Sequence, residues 1–236
     1  MRILVVDPVT TREWVEGDLA YLRRVAGPET ELSVETLPKG PLSIETHHDV
    51  AYAAPEILEL VKAHAPEVDA IVINCFADPV VEAAREVTDK VVVGPAEAAM
   101  SIALHLGHKF SVISVLPNTA SWVELQALKL GVERRLASAI GIEIPVLELE
   151  RSPERTVEAI VSAAERAISR DGAEVIVLGC TGMAALAQAV RERLAVPVVE
   201  PAAAALKLAE LLVSLGLRHR RGGTYLPPSP EKLIGY

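Results

Sequence analysis

The sequence has few cysteines, no long apolar run and no excess of positive charge, and each of these shortages excludes a class of protein. Only two of its 236 residues are cysteine, too few for a disulfide framework. Charged residues interrupt every apolar run before it reaches the roughly 20 residues that a membrane-spanning helix needs. The net charge of −9 offers no positive surface for phosphates, so we expect neither nucleic acid nor a membrane as partner.

Motifs for common cofactors are also absent. No Gly-rich phosphate-binding turn follows the first strand, where the chain reads Asp7-Pro8-Val9, and no P-loop occurs. No residues with metal-ligand spacing stand beside His47 and His48, which indicates a loop or the rim of a cleft for both. We therefore expect no metal and no nucleotide cofactor, and we expect the partner to be a small-molecule substrate. Because the chain enters a strand without a leader, we expect it in the cytoplasm.

The sequence does contain many short Val/Ile/Leu runs separated by helical segments. Runs that are apolar on both faces are typical of parallel strands covered by helices on both sides. The predicted fold is therefore α/β. The predicted strands are residues 2–6, 31–37, 69–74 and 90–93, followed by 109–115, 142–148, 174–179 and 197–199.

The two sets of four strands share landmarks in the same order. Residues 68–75 and 173–180 each contain an acidic residue, an apolar strand, a small or polar residue and a cysteine. An Ala-rich helix and a Val-rich strand follow both cysteines. This repetition predicts two pseudo-symmetric Rossmann-like halves with parallel four-stranded sheets and the active site in the cleft between them. The predicted halves are residues 1–97 plus about 205–236, and residues 98–204.

Cys75 and Cys180 occupy equivalent points of the two halves, at the carboxyl end of a strand and before a helix. Parallel sheets bind ligands at that edge, and a helix N-terminus lowers the pKa of a thiol. A single buried cysteine is usually a small hydrophobe. Two at matched positions indicate instead an acid/base pair, in which one thiolate takes a proton and one thiol delivers one.

The segments around both cysteines resemble a known family. NCFADP at residues 74–79 and GCTGM at residues 179–183 are similar to the two cysteine motifs of the Asp/Glu/hydantoin racemase superfamily, most closely to its hydantoin (allantoin) racemase branch. The resemblance covers residues 1 to about 216. It implies an isomerase, a cofactor-independent racemase or epimerase, in which Cys75 and Cys180 lie on the two sides of a chiral carbon.

The resemblance also implies which residues bind the substrate. They follow the strand ends of both halves: Asp7, Val9, Asn74, Phe76, Ala77, Asp78, Pro117, Asn118, Thr119, Thr181 and Gly182. The family's Asn-Pro-Asn is replaced here by Asp7-Pro8-Val9, and its Thr-Thr by Asn118-Thr119, which leaves the substrate open. Asp78, Asn118 and Thr119 have an alternative interpretation as residues of turns and helix caps.

The expected reaction is racemisation of a carbon acid such as a 5-substituted hydantoin or a related ureide. An aspartate/glutamate-type amino-acid racemase, a decarboxylase or isomerase on the same scaffold, and a non-catalytic ligand-binding protein are the alternatives. The carboxylate of Asp7 disfavours a dicarboxylate substrate by repulsion. Ala-rich helices at 96–106, 183–190 and 202–213, and the tail from Arg218, predict a homo-oligomer, at least a dimer.

Overall fold

Strands and helices alternate along the chain in the computed structural model, which describes residues 1–229. The strands are β1 (Arg2–Asp7), β2 (Glu31–Thr36), β3 (Ala70–Ile73), β4 (Val91–Val93), β5 (Phe110–Ser114), β6 (Leu136–Gly141), β7 (Val175–Leu178) and β8 (Val198–Val199). The α-helices are α1 (Val15–Val25), α2 (His47–His64), α3 (Val81–Val87), α4 (Pro95–Leu106), α5 (Pro117–Leu130), α6 (Pro153–Arg166), α7 (Ala187–Arg193) and α8 (Pro201–Ser214). Short 3-10 helices lie at Ala65–Glu67, Glu133–Arg135, Val146–Glu148 and Thr181–Leu186.

The strands form two parallel sheets with the same internal order. One sheet has the order β2-β1-β3-β4, and the other has the order β6-β5-β7-β8. In each sheet the first strand of its half pairs with the second and the third, so that Ile3 lies beside Ala70 and Phe110 beside Val175. The α/β fold with two pseudo-symmetric halves is therefore confirmed, and each sheet repeats the other strand for strand.

The core explains why the inner strands are continuously apolar. All residues of β3, β5 and β7 are buried, because helices cover both faces of each sheet. Helices α4 and α8 pack against each other between the sheets, with buried faces rich in alanine that allow close approach. Helix α4 follows the first sheet but contacts β5, β7 and β8, whereas α8 follows the second sheet and contacts β3 and β4.

The structure corrects one predicted strand. The edge strand of the second sheet is Leu136–Gly141, and the prediction of a strand at 142–148 was wrong. Residues 142–148 leave the sheet because Glu143 has a left-handed backbone (φ 61°) and Pro145 offers no N–H for a ladder. A 3-10 helix at Val146–Glu148 follows.

The tail after α8 lies along the first half as far as residue 229. The Nε2 atom of His219 lies 2.8 Å from the backbone nitrogen of Val92, and the hydroxyl of Tyr225 accepts a hydrogen bond from Arg85. The last part of the predicted tail, residues 230–236, is outside the described residues. No helix among the described residues is long and apolar enough to span a membrane. The boundaries predicted for the two halves stay a prediction.

Candidate active site

A cleft of about 820 Å³ opens between the carboxyl ends of the two sheets. Residues from both halves line it. The first half contributes Asp7, Pro8, Val9, Trp14, Asp18, Ser43, Ile44, Asn74, Cys75, Phe76 and Ala77. The second half contributes Ser114, Val115, Thr119, Trp122, Val123, Gln126, Val146, Glu150, Gly179, Cys180, Thr181 and Gly182. Both cysteines of the sequence thus face the same space.

The two thiols have similar surroundings. Burial raises the pKa of both Cys75 and Cys180 to about 12, although the N–H groups of Ala77 and Gly182, which point at the sulfur atoms, act in the opposite direction. A charge on Cys180 would raise the pKa of Cys75 further, because the two sulfur atoms lie near each other. Burial therefore favours the protonated form of both thiols at neutral pH.

The prediction that each cysteine stands immediately before a helix is confirmed for Cys180 and wrong for Cys75. Cys180 is followed by a 3-10 helix, and Cys75 by a turn that reaches α3 only at Val81. Neither thiol therefore lies at the N-terminus of an α-helix. Desolvation is the largest influence on the pKa of both thiols and raises it, whereas the sequence predicted a lowered pKa.

Hydrogen bonds tie the two cysteine loops to each other and to α5. The hydroxyl of Thr181 donates to the carbonyl of Asn74 over 3.2 Å, and the side-chain amide of Gln126 donates to the carbonyl of Phe76 over 2.7 Å. Gly179 allows the second cysteine loop to pass close to β5, since a Cβ there would lie 2.9 Å from the carbonyl oxygen of Ile113. These contacts hold both thiols at fixed places around the cleft.

Acidic groups form one wall of the cleft. The side-chain amide of Asn74 donates to Asp7 Oδ1 over 2.9 Å and reaches Asp18 Oδ2 at 3.4 Å. Burial raises the pKa of Asp7 to about 6, against the hydrogen bond from Asn74. Burial, followed by the charges of Asp7, Glu150 and Glu200, raises the pKa of Asp18 to about 8. The wall is an assembly of carboxyl groups with no compensating cation among the described lining residues.

Sequence reasoning missed several residues of the cleft. They are Pro8, Trp14, Asp18, Ser43, Ile44, Ser114, Val115, Trp122, Val123, Gln126, Val146, Glu150 and Gly179. Asp18 could have been identified from its position on α1. It lies on the same helix face as the apolar residues Leu22 and Val25, and a carboxylate on the apolar face of a helix is unusual. Trp122 and Gln126 had no such signal, because the sequence does not indicate that this face of α5 is turned toward the other half.

Three predicted substrate-binding residues lie outside the cleft lining. The carboxylate of Asp78 accepts hydrogen bonds from the N–H groups of Ala96 and Glu97 at the start of α4. Burial and the nearby Glu97 raise its pKa to about 8. Pro117 is the first residue of α5, and the side chain of Asn118 donates to the carbonyl of Glu45 over 2.8 Å. All three therefore support the walls of the cleft instead of facing its interior.

Thr119 supports the start of α5 and also lines the cleft, and its predicted role in substrate binding stays a prediction. Its hydroxyl bonds to Ser114 Oγ at 2.7 Å and to the backbone of Leu116 at the start of α5, and it also lines the cleft. His47 begins α2, and its ring stacks on Trp122 at a centroid distance of 4.5 Å, which places it at the rim of the cleft. Among residues 1–229, no group of three or more His, Cys, Asp or Glu side chains could hold a metal ion.

The comparisons with known proteins agree with this arrangement. The profile of the Asp/Glu/Hydantoin racemase family matches residues 3–209. A hydantoin racemase of Pseudomonas sp. (strain NS671) is 36% identical over 236 residues, which cover 100% of this chain and 95% of that protein.

Two solved structures have the same fold throughout. The allantoin racemase from Pseudomonas fluorescens is 40% identical, with a TM-score of 0.95 and coverage of 100% of both chains. The allantoin racemase from Klebsiella pneumoniae is 39% identical, with a TM-score of 0.94 and coverage of 100% of this chain and 96% of that one. The chain belongs to the Asp/Glu/hydantoin racemase family and is an isomerase of the racemase type.

Proposed function

We propose that the protein racemises a 5-substituted hydantoin or a related ureide with Cys75 and Cys180 as its two acid/base groups. One observation carries this proposal: the two thiols of the chain line one cleft from equivalent strand ends of two repeated sheets. A carbon bound between them would have one sulfur on each face. That is the arrangement that inversion of a stereocentre requires.

The reaction then proceeds by two proton transfers. The thiolate on one side removes the proton from the stereocentre, and the electron pair of the C–H bond moves into the adjacent carbonyl to give an enolate. The thiol on the other side gives its proton to the opposite face, and the carbonyl is restored. The backbone N–H groups of Ala77 and Gly182 point at the two sulfur atoms and stabilise the thiolate form of each cysteine as it takes part in the reaction. No cofactor enters this sequence of steps.

The raised pKa of each thiol suits a weakly acidic carbon. A thiolate formed from a group with a pKa of about 12 is a stronger base than an ordinary cysteine thiolate. The same raised pKa means that only a small fraction of each thiol is ionised at neutral pH. A ring in which carbonyl and ureide groups acidify the C–H bond reduces the strength of base that the reaction requires.

The acidic wall favours a ring substrate over aspartate or glutamate. Asp7 and Asp18 line the cleft, and no lysine, arginine or histidine does so among residues 1–229. A dicarboxylate in that space would meet the charge of Asp7, whose pKa of about 6 leaves it mostly ionised at neutral pH, without a cation to offset the repulsion. A hydantoin ring carries no carboxylate, and its N–H groups are hydrogen-bond donors.

The single substitutions Cys75→Ser and Cys180→Ser test the proposal. A serine hydroxyl is far too weak a base to take the proton, so both variants should lose racemisation of either enantiomer. Each variant keeps one thiol on one face and should still exchange the proton of one enantiomer with solvent deuterium, with retention of configuration. The two variants should act on opposite enantiomers, which makes each the control for the other.

The measurement combines deuterium incorporation by mass spectrometry with chiral chromatography, on each pure enantiomer of a hydantoin. Circular dichroism of both variants checks that they fold. Racemisation by either variant at close to the original rate would refute the two-thiol mechanism. Exchange of the same enantiomer by both variants would also refute it.

A further inference from the structure

The acidic wall of the cleft has hydrogen-bond acceptors that nothing in the described chain uses. Asp7 is 4% exposed and Asn74 is 5% exposed. Both hydrogens of the Asn74 amide group are directed at carboxylates, one at Asp7 Oδ1 and one at Asp18 Oδ2, which fixes the orientation of that amide. Asn74 Oδ1 and Asp7 Oδ2 are then left without a hydrogen-bond partner within residues 1–229.

Unused acceptors at this depth indicate a group that binds to them. A buried polar atom without a partner destabilises the fold, and native structures contain few such atoms. Asp7 and Asn74 both line the cleft, so a ligand with N–H donors would supply the missing hydrogen bonds. The equivalent place in the second half holds Gly179, which has no side chain. The two acceptors without a partner among residues 1–229 therefore both belong to the first half.

The charge of the acidic wall indicates which kind of hydrogen-bond donor a ligand would place there. Asp7, Asp18 and Glu150 all line the cleft, and its described lining contains no basic side chain. Burial raises the pKa of both Asp7 and Asp18, and the charges of Asp7, Glu150 and Glu200 raise the pKa of Asp18 further. A bound cation would stabilise the ionised form of both, whereas a neutral donor would leave their repulsion in place. The wall therefore favours a donor that is also positively charged.

We propose that the substituent on the stereocentre of the substrate carries a cationic N–H donor, a guanidinium or an ammonium group, that binds Asp7, Asn74 and Asp18. This inference rests on the proposed hydantoin racemisation. A neutral hydantoin ring cannot provide the positive charge, so the charge belongs to the substituent. A guanidinium suits the wall because its several N–H groups can meet two acceptors at once.

A series of four hydantoins tests the inference, those derived from arginine, citrulline, norleucine and glutamate. The arginine and citrulline compounds have nearly the same shape and differ in charge. We expect kcat/KM for deuterium exchange to be highest for the arginine compound, by about tenfold over the citrulline compound, and lowest for the glutamate compound. Equal rates for the arginine and citrulline compounds would overturn the inference and would indicate recognition of N–H groups without charge.

The variants Asp7→Asn and Asp18→Asn test whether the acidic wall causes a preference for the arginine compound. Each should lower the ratio of the rates for the arginine and norleucine compounds by about tenfold. Asp69→Asn removes a carboxylate that accepts the N–H of Arg2 at the amino end of the first sheet, and it should leave this ratio unchanged. An equal loss for all four compounds in both variants would place the carboxylates at the common ring and overturn the inference.

The same data separate this inference from the proposed function. If none of the four compounds exchanges deuterium with the original protein, the proposed function fails. If all four exchange at similar rates, the proposed function stands and the cationic substituent is excluded. Isothermal calorimetry with the arginine and citrulline compounds gives the same comparison for binding alone.

Discussion

At the residue scale, burial determines how the two cysteine thiols ionise. A free cysteine has a pKa near 8.5 and gives mostly thiolate above about pH 9.5. The raised pKa of about 12 for Cys75 and Cys180 means that the thiolate fraction of each grows about tenfold per pH unit from pH 7 to 10, with no plateau. The alkylation rate with iodoacetamide should follow this course, because the thiolate is the nucleophile.

Two variants allow the pH dependence of the alkylation rate to be measured for one thiol at a time. Cys75→Ser leaves only Cys180, and Cys180→Ser leaves only Cys75, so that mass spectrometry of the alkylated protein reports a single site. Free cysteine under the same conditions is the reference. A plateau between pH 8 and 9 in either variant would contradict the effect of burial. The rate of racemisation should rise over the same interval for the same reason.

The residues around the thiols were predictable to different degrees. Asp7, Asn74, Phe76 and Thr181 follow strand ends, and a parallel sheet brings all such residues to one edge, so sequence position alone predicts that they line the cleft. Asp78 also follows a strand end, but its backbone has φ 48°, which turns the side chain toward α4. A local backbone reversal of this kind leaves no mark in the residue pattern.

At the scale of secondary-structure elements, the loop after Cys75 is anchored to the start of α4. Both Asp78 and Val80 have left-handed backbones, a conformation that costs on the order of 1 kcal/mol or more for residues other than glycine. The carboxylate of Asp78 accepts two N–H groups of α4 at 2.9 Å each and so holds this conformation. Gly94 makes room for it, since a Cβ there would lie 2.4 Å from Asp78 Cγ.

The equivalent helix of the second half is capped in a different way. Glu200 stands directly before the first proline of α8, as Gly94 does before that of α4, and its own carboxylate accepts the N–H groups of Ala202 and Ala203. The duplicated pattern therefore predicted two equivalent helices correctly. It did not predict that one of them is capped by a residue from a cysteine loop.

The substitution Asp78→Ala should affect both stability and reaction. Loss of the cap leaves two N–H groups without their acceptor and should lower the free energy of unfolding by about 1–2 kcal/mol. The Cys75 loop should also loosen. We therefore expect exchange of the enantiomer that depends on Cys75 to fall more than exchange of the other, as measured on each pure enantiomer.

Asp69→Ala is the control for this experiment, because it also removes a carboxylate that accepts a backbone N–H, but at the other end of the sheet. It should leave the ratio of the two exchange rates as it was. An equal fall for both enantiomers in Asp78→Ala would show that Asp78 supports the fold without positioning Cys75. Thermal unfolding followed by circular dichroism gives the loss of stability in both variants.

The edge strand β6 shows where prediction from residue pattern fails. Its sequence, LASAIG, has one β-branched residue, and all six positions are partly exposed. The following segment, IEIPVLE at residues 142–148, contains three β-branched residues, Ile142, Ile144 and Val146, which are typical of a strand. The left-handed backbone of Glu143 and the missing N–H of Pro145 prevent residues 142–148 from forming a strand. LASAIG forms the edge strand instead, because it pairs with β5.

At the scale of the whole molecule, the state of association stays a prediction. The Ala-rich faces of α4 and α8, on which that prediction partly rested, are buried between the two sheets. Apolar residues on other helices are exposed instead: Leu125 and Leu128 on α5 are each 60% exposed. We expect at least a dimer, because a second copy would cover such residues. Light scattering that gives the 25.2 kDa mass of one chain across a wide concentration range would contradict this.

Each of the helices α4 and α8 packs on the sheet of the other half of the chain. This crossing of the chain determines when the core of each half can form during synthesis. The strands of the first sheet leave the ribosome early, but the helix that covers one of their faces, α8, is made after almost all the rest of the chain. Until then, Val5, Val72 and Val93 lack the alanines of α8 with which they form one core. The amino-terminal half cannot mature alone, and translation must nearly finish before either half closes. Stalled or truncated chains would expose that apolar face, which makes them targets for chaperones or aggregation.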